Sequence, residues 1–230
     1  MKNLAKCLCL ALLVTVMIPV ISVLTACGDV NTIYVSTMEG LKTALESDKQ
    51  TIKLSQDINT TESIYITRKV TFDLNGKTIE ASGYDGVFCV SGEGELTITG
   101  KGNIIAKEDN DYAMAIWAKE NAKVVIENGK FSQNVTGTDS QYDMIYASGA
   151  AQITILDGEF ESVTPQWTLN LKDADNKVAK MIVKGGKFVG YNPANSLTEP
   201  VGVSANFVAD GYKSELVEGT QDTYRVVEVK

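Results

Sequence analysis

Apolar and polar residues alternate in short runs along much of this chain, as at Val124 and Ile126, Ile153 and Ile155, and Met181 and Val183. A period of two places such residues on one face of a β-strand, and the β-branched side chains among them favour strands. Each run ends at a turn-former followed by glycine. Ile126-Glu127-Asn128-Gly129-Lys130-Phe131, Ile155-Leu156-Asp157-Gly158-Glu159-Phe160 and Val183-Lys184-Gly185-Gly186-Lys187-Phe188 share one order: aliphatic, any residue, turn-former, glycine, charged, phenylalanine. Looser copies surround Gly102, between Ile98 and Ile104, and Gly76, in Leu74-Asn75-Gly76-Lys77-Thr78-Ile79. The glycines at 76, 102, 129, 158 and 186 lie 26, 27, 29 and 28 residues apart. Self-similarity at such a period signals stacked units.

Units of this length, built of short strands and tight turns, fit few architectures. A leucine-rich repeat needs a leucine ladder that is missing, and propeller blades run to about 40 residues. A parallel β-helix remains, in which each unit is one coil stacked on the next. In these repeats, Thr51 to Phe207 resembles the pectate-lyase-like right-handed β-helix superfamily, above all its small adhesive-type members on bacterial surface proteins. The expected class is all-β: a single-domain, right-handed parallel β-helix of about five coils over residues 51–207. Its core ladders should hold Val124, Ile126, Phe131, Ile153, Ile155, Phe160, Met181, Val183 and Phe188, each Phe about 4.8 Å above its counterpart. The shared motifs mark the fold, and no active-site signature of the superfamily accompanies them.

An open coil exposes its core and its strand edges, so both ends need covers. Ser36-Thr37-Met38-Glu39 reads as a capping box, and Met38, Leu41 and Leu45 then share one helical face. This predicts a short amphipathic helix over 37–47 within an N-terminal cap of residues 33–50. At the other end Asn192 to Pro200 is rich in turn-formers. Beyond it, Gly211 to Val217 and Thr223 to Val229 read as two strands of a hairpin in a C-terminal cap of residues 208–230.

The N-terminus carries a different signal. Lys2 and Lys6 precede an uncharged apolar run from Cys7 to Leu24, as in a signal peptide. Its end, Leu24-Thr25-Ala26-Cys27, resembles the lipobox of bacterial lipoproteins. The resemblance implies cleavage between Ala26 and Cys27 and thioether-linked diacylglycerol on Cys27, whose two acyl chains anchor stably. An ordinary secretory signal is the alternative. Pro19 interrupts the run and no basic cluster follows it, which counts against a retained span. Residues 1–26 are thus expected to be a lipoprotein signal peptide, 27–32 a tether and 33–230 the β-helix domain, held by membrane lipid on the extracytoplasmic face of the cell membrane.

Charge and composition narrow the function. Lys2 and Lys6 are the only charged residues before Cys27, so the chain from Cys27 onward holds 19 basic and 29 acidic residues, a formal charge of −10. That balance argues against nucleic acid as a partner. Only Cys89 remains free after Cys7, Cys9 and Cys27 are accounted for, so no disulfide framework exists. With no histidine in the chain, His-dependent triads and histidine general bases are excluded.

Enzymes of the resembled superfamily that cleave uronate polysaccharides use calcium-holding aspartates and a basic residue as proton acceptor. Here the arginines are Arg68 and Arg225, neither on the central coils, and Lys119 and Lys172 sit among acidic residues. The pairs Asp109/Asp111 and Asp173/Asp175 offer hard oxygen ligands for Ca²⁺, but polar turns between strands account for them equally. No cofactor is therefore expected, with calcium the one candidate. Aligning coils on Gly129 and Gly158 places Trp117 and Tyr146 each twelve residues before the glycine. Asn170 is their equivalent one coil later, and Cys89 lies near that position one coil earlier. Their apolar neighbours point inward, so Trp117 and Tyr146 should stack outward about 5 Å apart, flanked by Lys119, Ser148 and Lys172. Asp109, Asp111, Asp139 and Asp143 should border the strip. Two functions follow: a non-catalytic module binding a glycan or a surface protein, or a lyase or hydrolase acting on acidic glycans. Scarce arginine and missing histidine favour the first.

Overall fold

The computed structural model describes residues 30–107, 113–135, 142–172, 178–198 and 203–230. The expected signal peptide over residues 1–26, Cys27, Asp109, Asp111, Asp139 and the Asp173/Asp175 pair lie outside these residues.

Three parallel sheets enclose one core, and the chain visits them in rotation. The first stacks Thr32–Val35, Thr51–Leu54, Lys69–Asp73, Glu95–Thr99, Lys123–Ile126, Gln152–Ile155 and Lys180–Val183. The second stacks Ile58–Thr60, Thr78–Ala81, Asn103–Lys107, Lys130–Asn134, Glu159–Glu161 and Lys187–Val189. The third stacks Ile64–Ile66, Phe88–Val90, Ile116–Ala118, Ile145–Ala147 and Leu169–Leu171. Its five strands mark five coils, so the β-solenoid makes about four turns from first to last.

Alternation along each strand sends every second side chain inward. All nine expected ladder residues are buried, Met181 being the most exposed at 6%. The phenyl rings of Phe131 and Phe160 stack at 4.9 Å, and those of Phe160 and Phe188 at 4.8 Å, with 9° between planes in both pairs. In-register parallel strands set equivalent side chains one strand spacing apart, so the three phenylalanines repeat one ring orientation coil by coil.

The glycine ladder differs from the spacing in one place. Gly102, Gly129 and Gly158 align, and each carbonyl accepts the next coil's amide: from Lys130 at 2.9 Å, Glu159 at 2.9 Å and Lys187 at 2.8 Å. Gly158 has φ +135°, and a Cβ there would lie 3.1 Å from the Gly129 carbonyl oxygen, so glycine is required. Gly76 is out of register, because Thr78 pairs with Asn103 and Lys77 occupies the level of Gly102. The cause is turn length. Phe72 to Ile79 spans seven residues, Ile98 to Ile104 six and Ile126 to Phe131 five, although these residues align coil by coil.

The N-terminal helix, α1, runs Met38–Glu46 and buries Met38, Leu41 and Ala44, with Leu45 only partly covered. Its cap is Thr37, whose Oγ1 accepts from the Gly40 amide at 3.0 Å, rather than Ser36 as the capping box implied. Arg68 closes the other end, donating to the carbonyls of Leu45 at 2.8 Å and Ala44 at 3.0 Å, where a cation also complements the helix dipole. The strand Thr32–Val35, pairing with Thr51–Leu54, extends the first sheet ahead of α1.

Each sheet is also closed at its C-terminal end. Thr223–Glu228 pairs antiparallel with Lys187–Val189 and with Tyr212–Leu216, forming the expected hairpin. The Val226 amide takes the Gly186 carbonyl at 3.0 Å, so the cap uses the last free rung of the glycine ladder. Val183 exchanges backbone hydrogen bonds with Phe207 and Ala209 at the edge of the first sheet. A small hairpin, Ser196–Thr198 with Val203–Ala205, lies against Leu169–Leu171. Beneath it the buried Tyr191 hydroxyl donates to Ser196 Oγ at 2.6 Å, and burial raises this phenol above the ordinary tyrosine range.

Candidate functional site

The third sheet carries one outward residue per coil. Its register aligns Tyr65, Cys89, Trp117, Tyr146 and Asn170 in a single column. The residues on either side are buried in every coil: Ile64 and Ile66, Phe88 and Val90, Ile116 and Ala118, Ile145 and Ala147, Leu169 and Leu171. The column therefore faces away from the core, as the strand period requires.

Its members differ in exposure. Tyr65 is 55% exposed, Trp117 and Tyr146 are half-buried, and Cys89 and Asn170 are covered. The Trp117 and Tyr146 rings lie 6.2 Å apart, inclined by 49°, wider than the flat stacking of the phenylalanine ladder. The tilt accompanies hydrogen bonding: Trp117 Nε1 donates to Ser148 Oγ, one coil onward, at 3.0 Å. Lys119 Nζ sits 4.4 Å from the Trp117 ring centroid, a cation–π contact. The same ammonium lies 3.9 Å from Asp85 Oδ2.

Asp85 also hydrogen-bonds Tyr65, whose phenol is raised above its ordinary pKa by burial first and by this carboxylate second. Burial likewise pushes the Cys89 thiol up, only partly countered by Lys119. A buried thiol of this kind is a weak nucleophile. Asn170 is 1% exposed; its Nδ2 donates to Asp143 Oδ1 at 2.9 Å, and its Oδ1 has no partner among the described residues. Lys172 is exposed and follows the last strand of the sheet, its amide donating to the Ala147 carbonyl.

Trp117, Tyr146, Lys119 and Ser148 thus come together as expected. Asp143 joins them through Asn170, which serves the protein interior more than the surface. Asp85 and Tyr65 are the members that sequence reasoning missed. Tyr65 belongs to a coil without the glycine–charged–phenylalanine motif used for alignment, although the apolar bracket Ile64-Tyr65-Ile66 carries the same pattern as Ile116-Trp117-Ala118. Gln133 was missed too. Its Nε2 donates to the carbonyls of Ala113 at 2.8 Å and of Tyr142 and Asp143 at 3.4 Å. Its Oε1 accepts from Ser162 Oγ at 2.7 Å and the Val163 amide at 3.1 Å. One side chain so ties together the approaches to the strands bearing Trp117 and Tyr146.

No three His, Cys, Asp or Glu side chains converge as metal ligands among the described residues. Away from this face, a concavity of about 490 Å³ lies at the N-terminal end between Ser36–Glu39 and Asp57–Glu62. Two of its three acids are engaged, Glu62 with Lys42 at 2.6 Å and Asp57 with the Thr78 amide at 2.8 Å.

Fold and site together define a parallel β-solenoid with a mixed aromatic and polar column on one outer face. Compared with protein-family models, with curated proteins and with solved structures, the chain shows no match.

Proposed function

We propose that this protein is a lipid-anchored, extracytoplasmic β-helix module that binds a carbohydrate or a partner protein, without catalysis, through the outward face of its third sheet. The observation that carries the reading is the Trp117–Tyr146 pair, half-exposed on the sheet and accompanied by Lys119, Ser148 and Asp85, with Asp143 held to Asn170 on the next rung. Aromatic rings beside polar groups suit sugars, which offer an apolar face and a rim of hydroxyls. A glycan array probed with wild type and Trp117→Ala tests it: binding that falls sharply in the variant supports the reading, and equal binding by both removes the strip from consideration.

The anchor rests on Leu24-Thr25-Ala26-Cys27, and the kinship with pectate-lyase-like proteins rests on the repeats. Cys27→Ser should abolish incorporation of a labelled fatty-acid analogue in cells; undiminished labelling would refute the anchor.

A lyase or hydrolase of acidic glycans is the second reading, and the meeting of Asp85, Lys119 and Tyr65 speaks for it. Lys119 is held between a carboxylate and a ring face, which suits it to hold a position rather than to collect a proton. Incubation with polygalacturonate should produce no unsaturated-uronate absorbance. Absorbance that appears, and vanishes with Lys119→Ala, would establish the enzyme.

A further inference from the structure

We infer that the ligand of the third sheet is a neutral, extended β-1,4-linked glycan lying along the solenoid axis, with Tyr65 and Trp117 as stacking platforms one disaccharide apart. The inference rests on the binding role proposed above. Tyr65 and Trp117 occupy the same column two coils apart, which places them roughly 10 Å apart along the axis at the usual strand spacing. The coil between them presents Cys89, small and fully covered, so no ring stands on the middle rung. An extended β-1,4 chain turns each sugar over relative to its neighbour. Sugars i and i+2 then show the same face, separated by the length of one disaccharide. A ring on the first and third rungs with none on the second matches that repeat, whereas a coiled α-linked chain loses step with it.

Charge selects among such chains. Among the described residues, the strip carries the carboxylates of Asp85, between Tyr65 and Lys119, and Asp143, beside Asn170. Lys119 already has a carboxylate and a ring face as neighbours, and the whole chain carries a formal charge of −8. Carboxylates accept hydrogen bonds from sugar hydroxyls and repel uronates. The Tyr65 hydroxyl is hydrogen-bonded to Asp85 and so brings that carboxylate to the rim of the platform.

Calorimetry of the intact chain with cellohexaose, xylohexaose, mannohexaose, maltohexaose and hexagalacturonate tests this. At least one of the first three should bind, and at least about tenfold tighter than maltohexaose or hexagalacturonate. Tyr65→Ala should weaken that hexasaccharide roughly five- to tenfold and leave its disaccharide unchanged, while Tyr65→Phe keeps most of the affinity. Trp117→Ala should weaken both lengths. Preference for hexagalacturonate or maltohexaose, or full affinity in Tyr65→Ala when Trp117→Ala has lost it, overturns the inference and leaves the binding role standing. No binding of any probe overturns the inference alone, and a probe that binds equally well to Trp117→Ala overturns both.

Discussion

Two columns climb this solenoid with one residue per coil, and they choose their residues by opposite rules. The inward column of the second sheet runs Ile58, Ile79, Ile104, Phe131, Phe160, Phe188, ending in three identical rings. The outward column of the third sheet runs Tyr65, Cys89, Trp117, Tyr146, Asn170 and never sets the same residue on neighbouring coils. Both are held in register by the same kind of backbone ladder, so geometry does not separate them. Packing does. An inward side chain touches its counterparts above and below and must fill a fixed volume, which rewards repetition. An outward side chain faces solvent and neighbours of its own making, so volume sets no rule. Repetition in this chain reports fold, and variation at constant register marks the surface where something other than packing selects the residue.

The contrast can be broken in order of expected effect. Phe160 is the middle ring of its stack, and Phe160→Ala should cost about 3–5 kcal/mol, read as a lower denaturant midpoint. A cost no greater than that of Trp117→Ala would refute the distinction between the columns. Gln133→Ala deprives the Ala113 carbonyl and the Ser162 hydroxyl of their partner and should cost about 1–3 kcal/mol. Hydrogen exchange should quicken selectively over 113–118 and 142–147, the segments Gln133 ties together; uniform quickening would make it an ordinary packing residue. Trp117→Ala should change stability by less than about 1 kcal/mol, since the ring fills no interior space. Smallest is the charge column outside the first sheet, where Lys123 and Lys69 hold the Glu95 carboxyl below its ordinary value of 4.5. A lowered folded-state pKa gives stability that is present above the unfolded value and lost as pH falls through the folded one. Glu95→Gln should therefore be slightly less stable than wild type at neutral pH and low salt. That difference should fade below pH 4.5 and in high salt.

Legibility followed the repeats. Coils carrying the glycine–charged–phenylalanine motif revealed their register, their ladders and the pairing of Trp117 with Tyr146. Where turns lengthen, the motif misleads: Asn75-Gly76 imitates it one residue early, and the pairing of Thr78 with Asn103 sets the true register. Thr37 and Ser36 are equally good cap residues by type, and the first turn of α1 selected the former. Arg68 is an isolated charge in the sequence; its partners, the carbonyls of Ala44 and Leu45, exist only once the helix ends beside it.

What the sequence by itself determined is the solenoid and its direction of stacking, because strand periodicity and a nearly constant coil length are local properties that neighbouring copies reinforce. It also determined which residues fill the core, since alternation assigns each side chain a face before any partner is known. Only the tertiary structure decided which outward residues meet. Tyr65, Asp85 and Lys119 come from three separate stretches of chain, and Gln133 reaches carbonyls in two neighbouring coils. Such contacts depend on side-chain reach across coils whose turns differ in length, and no period in the sequence encodes that.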